Sequence, residues 1–150
     1  MAKFVYRLQN VLDLKLKLEN QQKTNFSMAA AKINSEETKL TKLKKVLETY
    51  EQEYREKSIG HINVSELKFS RDSMEYAKEQ IKLQEKNVDN AKKQLEIARF
   101  ALNEAIKERK IFEKLREKAL EEYRLEENSA ELKEVDQLVS FTYNDNKAGE

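Results

Sequence analysis

The residues able to do chemistry in this 150-residue chain are few: one histidine, several adjacent carboxylates, and arginines placed within an apolar repeat. His61 has no cysteine anywhere to join it, so it can build neither a multi-ligand zinc site nor a histidine pair for proton transfer. It reads as a solvated loop residue. Glu36 and Glu37, Glu121 and Glu122, and Glu126 and Glu127 are neighbours in sequence, each pair with a lysine or arginine within one helical turn. Such pairs are solvated helix faces, not an acid and a base converging on a substrate. No GxGxxG, P-loop or HExxH pattern occurs. Catalytic, cofactor-binding and metal-binding residues are therefore expected to be absent, and the chain is not expected to be an enzyme.

Composition says which elements hold these residues. Charged residues make up 38%, apolar residues 39%, with two glycines and no proline. Sandwiches, barrels and doubly wound sheets need frequent turns, which this chain cannot supply; an all-α fold of long helices remains. Lysine plus arginine number 29 and aspartate plus glutamate 28, interleaved without a basic stripe, which argues against nucleic acid. The longest apolar run is Met28 to Ala31, against the roughly 20 residues a spanning helix needs. Without a signal peptide or cysteines, a cytoplasmic location with no membrane insertion is expected.

Phe26, Ala29, Ile33, Leu40, Leu43, Leu47, Tyr50 and Tyr54 alternate spacings of three and four, broken only at Glu36. From Met74 through Ala77, Ile81, Val88 and Ala91 to Tyr123 the pattern repeats, interrupted by Gln84, Arg109 and Arg116. A 3.5-residue period is the seam of a left-handed coiled coil. Residues 58–64 separate the two halves: Gly60 suits a helix end, and Asn63, with Glu66 three residues on, suits a helix start, with Ser65 competing as cap. The reading is a long two-helix antiparallel coiled-coil hairpin over 1–143, with helices at about 3–57 and 65–139 and a disordered tail at 144–150. At 1.5 Å per residue the helices would span roughly 80 and 110 Å, a rod rather than a globule.

Aligning the two seams pairs residues whose numbers sum to 124. Phe26 then faces Ala98, Ala29 faces Leu95 and Leu47 faces Ala77, so large mostly meets small. An antiparallel dimer of two chains would obey the same rule. Near the N-terminus the register degrades, with Lys15 facing Arg109 and Leu8 facing Arg116, while Val11, Leu14 and Leu18 form another stripe; Glu19 is placed to pair with Arg109 or Lys15. Beyond about residue 123 the second helix overhangs. Residues 113–136 carry nine acids and five bases, whereas residues 1–18 carry four bases and one acid. Arg109 and Arg116 either bind an acidic partner or lay their stems along the seam with their heads in water. Tyr50 and Tyr54, near the turn with Phe69, Met74 and Tyr76, are either core fillers or an apolar patch for a partner.

Two segments carry a resemblance. Phe4-Val5-Tyr6-Arg7-Leu8-Gln9-Asn10-Val11-Leu12 resembles the F-x-[FY]-x-L-x-x-[VL]-L opening of the FliJ family, the coiled-coil component of the bacterial flagellar type III export apparatus. Glu131-Leu132-Lys133-Glu134-Val135-Asp136-Gln137 resembles that family's E-x-K-E-x-D-E/Q segment near the C-terminus. The resemblance implies a non-enzymatic stalk, similar to the coiled coil of the rotary-ATPase gamma subunit. Its implied partners are the hexameric export ATPase, whose assembly and activity it promotes, the cytoplasmic region of the membrane export gate, and export chaperones. Its implied place is peripheral, at the cytoplasmic face of the flagellar base.

By the same resemblance the ATPase-facing residues are Phe4, Tyr6, Arg7, Leu8, Val11 and Leu12 with Glu131, Lys133, Glu134 and Asp136. The gate-binding patch is Leu47, Tyr50, Tyr54, Met74, Ala77 and Ile81, where Ser70 stands in place of an expected aromatic one residue after Phe69. These patch residues are also seam fillers, so both readings hold only if that end of the hairpin opens. The alternatives are an escort for export chaperones or substrates, and a generic coiled-coil scaffold.

Overall fold

A computed structural model describes residues 3–149. Two helices account for nearly all of it: α1, Gln9–Lys57, and α2, Val64–Ala148. They pack against each other as a hairpin. The described residues fall into two compact units, one within Met1–Glu19 and Ala105–Glu150, the other Asn20–Glu104.

In the second unit α1 ends where Ser58 donates through both its amide and its hydroxyl to the Tyr54 carbonyl, at 3.0 and 2.6 Å. Gly60 then takes φ 85°, a left-handed conformation that glycine adopts without steric cost. The Ser65 amide donates to Asn63 Oδ1 at 3.0 Å and the Leu67 amide to the Asn63 carbonyl at 3.0 Å. Asn63 is thus the cap, and α2 begins at Val64 rather than at Ser65. The seam is built largely from α2: Ala77, Ile81, Val88 and Ala91 are buried, with Ser70 and Gln84 among them. Small residues alternate with branched ones there, letting two backbones approach closely.

In the first unit α1 starts at Gln9, not near Lys3. The Gln9 amide closes a turn onto the Tyr6 carbonyl at 3.1 Å, and the lead-in before it is not helical. Its aromatics explain why: the Tyr6 hydroxyl donates to the Phe112 carbonyl at 3.2 Å, and the Phe4 ring lies 5.4 Å from that of Tyr123. The stripe of Val11, Leu14 and Leu18 is also corrected. Leu12 and Glu19 are buried, whereas Leu14 and Leu18 are exposed: the heptad place of Phe26 recurs in sequence at Glu19 and Leu12, not at Leu14 and Leu18. α2 runs to Ala148, past the expected end near Val139. From Asn128 to Gly149 every residue is exposed, so the helix there rests on its own hydrogen bonds without a packed face.

Candidate functional site

The polar residues that interrupt the seam have partners of matching polarity. Gln84 donates from Nε2 to the Glu36 carbonyl at 2.9 Å and also to the Glu36 carboxylate. That hydrogen bond holds the Glu36 carboxyl below its usual range, against the opposing effect of partial burial, with Lys39 and Lys32 adding to the lowering. Arg109 bridges Glu19 and Glu113, the latter at 2.8 Å, and these hydrogen bonds raise its already high pKa. Of the two partners expected for Glu19, Arg109 is the one found. Lys15 instead reaches Glu108 at 2.8 Å and sits 5.9 Å from the centre of the Phe112 ring. Arg116 donates from Nε to Gln9 at 3.2 Å and lies over the Phe4 ring. The pairs Lys15 with Glu108 and Gln9 with Arg116 fall within one residue of the expected register, and Glu36 with Gln84 lies one turn from it.

The N-terminal motif and residues 131–136 both belong to the first unit, but the structure does not bring them together. Tyr6 and Leu12 are buried, Phe4 and Val11 are half-buried, and Arg7 and Leu8 face solvent. A groove of about 700 Å³ lies along this lead-in, with Phe4, Arg7 and Leu8 on one side and Ala119, Glu122 and Tyr123 on the other. The Tyr123 hydroxyl donates to Glu127 at 2.7 Å, which raises its pKa. Glu131, Lys133, Glu134 and Asp136 are all exposed farther along α2, beside the equally exposed Leu132, Val135 and Val139.

The six patch residues of the second unit occupy seam positions and none of them is fully exposed. Ala77 and Ile81 are buried, while Leu47, Tyr50, Tyr54 and Met74 are half-buried. Ser70 is itself a buried seam residue at 4% exposure, and Phe69 points outward at 71%. The apolar surface that solvent can reach here includes Phe69 and Tyr76, with Ile59, Ile62 and Val64 around the turn. The sequence carried one signal for it: Phe69 and Tyr76 sit one residue off the seam, at 70 and 77.

Among the described residues no group of three or more histidine, cysteine, aspartate or glutamate side chains could hold a metal ion, and no helix is long and apolar enough to cross a membrane.

The family model described as flagellar FliJ protein matches residues 4–148. No curated protein matches. Among solved structures, a protein of Chlamydia trachomatis described as a YscO homolog superposes with a TM-score of 0.79, covering 99% of this chain and 100% of its own at 20% identity. At that identity it shows a shared fold.

Proposed function

The chain belongs to the flagellar FliJ protein family, non-catalytic components of type III export, and we propose that within that apparatus it binds the hexameric export ATPase, promotes its assembly and turnover, and couples it to the cytoplasmic region of the export gate. The observation that carries this reading is the family match, which takes in both end motifs. Exposed apolar side chains in each unit support a protein that works by contact. The ATPase contact is assigned to the first unit, through Arg7, Leu8 and the exposed segment 131–136. The gate contact is assigned to the second unit, where Leu47, Tyr50, Tyr54, Met74, Ala77 and Ile81 become available only when the seam near the turn opens. The place of action is cytoplasmic, peripheral at the flagellar base.

Titration of the purified chain into the cognate export ATPase tests this, with ATP turnover and ring formation followed together. Both are expected to rise and saturate. If neither changes while a purified export chaperone binds the same preparation, the chain is an escort and the ATPase reading fails.

A further inference from the structure

Within the first unit, α2 moves its apolar residues from one side to another. Its seam runs through Phe112, Ala119 and Tyr123, all half-buried. The next places of that series are Glu126, Ala130, Lys133, Gln137, Ser140 and Asn144, none of them large and apolar. A second series of three and four starts at Leu125 and takes in Leu132, Val135 and Val139, with Asn128 and Thr142 at its polar places and Tyr143 beside its end. About two and a half turns separate Tyr123 from Leu132, which sets the new line on the opposite side of the helix. Leu125, Leu132, Val135, Val139 and Tyr143 are each between 53% and 64% exposed. A hollow of about 380 Å³ opens among Leu138, Val139, Thr142 and Tyr143. A three-four line of large apolar side chains without a facing helix is one half of a coiled-coil seam.

Charge selects the helix that completes it. Residues 125–143 carry five acids and one base, and helical spacing puts Glu131 and Asp136 on the two sides of the line. Another copy of the same stretch would lay acid on acid, and an anionic membrane surface would be repelled in the same way. The basic residues 1–18 of another copy are engaged in their own unit, where Tyr6 and Leu12 are buried. A helix with apolar residues at three-four spacing and lysine or arginine on both flanks satisfies the line and its charge together.

We infer that α2 between Leu125 and Tyr143 docks a basic-flanked amphipathic helix of the export ATPase, with Leu132, Val135 and Val139 at the centre of the contact and the Glu131 and Asp136 carboxylates on its rim. The inference rests on the assignment of segment 131–136 to the ATPase and supplies the chemistry of that contact. Burial of the apolar line provides the affinity, and the acids set orientation and the rate of encounter.

Hydrogen exchange of the full chain, alone and with the cognate ATPase, tests it alongside ATP turnover. Amides of residues 125–143 are expected to exchange fast in the chain alone and to slow at the concentrations where turnover rises. Leu132→Ala with Val139→Ala should raise the chain concentration needed for half-maximal activation about tenfold or more. Alanine keeps the helix propensity, so unchanged helicity by circular dichroism ties that loss to the contact. Phe141→Ala removes an equally exposed ring from the opposite side of the helix and should leave the half-maximal concentration unchanged. Rising turnover without slowed exchange in 125–143, or an equal loss from Phe141→Ala, overturns the inference while the ATPase reading stands. Slowed exchange that grows with chain concentration in the absence of ATPase would seat a second copy on the line and also overturns it. No rise in turnover at any concentration defeats the ATPase reading itself, and this inference with it.

Discussion

Arg109 and Glu19 occupy positions where a coiled coil normally places apolar side chains, and their joint presence there is more informative than either alone. Glu19 is 5% exposed and Arg109 is mostly covered, so cutting Arg109 back to Met strips a buried carboxylate of its ion pair. A cost of about 1–3 kcal/mol is expected for Arg109→Met in urea unfolding. Glu19→Leu with Arg109→Met should regain most of it, because an apolar layer suits the seam equally well. A double variant as unstable as the single one would show that the pair does more than satisfy itself. Gln84 and Glu36 give a pH signature. Since the Glu36 carboxyl is held below its ordinary value of 4.5, its contribution is complete above that pH and is lost as pH falls through the lower folded value. The stability difference between the native chain and Gln84→Leu should therefore narrow in acid, which denaturant midpoints measured from pH 6 downward would read.

At the scale of elements, what repeats was legible and what departs from repetition was not. The seams of residues 26–54 and 74–123 could be read because one period governs many residues, and the turn because glycine and asparagine have few other uses there. The start of α1 could not: Phe4 and Tyr6 belong to a non-helical lead-in held by contacts with Phe112 and Tyr123, more than a hundred residues away. The residues assigned to the gate contact were legible as seam positions, but the outward position of Phe69 depended on a one-residue offset that only burial settles. Two predictions belong here. Asn63→Ala should cost about 1 kcal/mol by removing the Oδ1 cap, whereas Asn63→Ser should be nearly neutral. In α2, amides beyond Asn128 should exchange far faster than those of residues 77–91, since a helix without a packed face is marginal in water. Equal protection along α2 would mean that a partner covers the exposed stretch.

For the whole molecule the decisive point is that the two assigned contacts lie in different units, each with its own seam, so they should respond separately to substitution. Charge reversal of Glu131, Glu134 and Asp136 alters exposed side chains only, and should weaken ATPase activation while leaving gate binding and thermal stability nearly unchanged. Tyr50→Ala with Tyr54→Ala is different in kind, because both rings are half-buried between the helices. It should reduce gate binding and also lower stability, by about 1–3 kcal/mol, with ATPase activation retained. A third variant separates the two effects of that pair: Phe69→Ser changes the exposed aromatic next to buried Ser70 and should leave stability unchanged. If Phe69→Ser impairs gate binding as strongly as the tyrosine pair does, the gate contacts the closed hairpin from outside. If only the tyrosine pair impairs it, the seam must open for the gate to bind. Equal losses of ATPase activation and gate binding in all three variants would defeat the assignment of separate contacts to the two units.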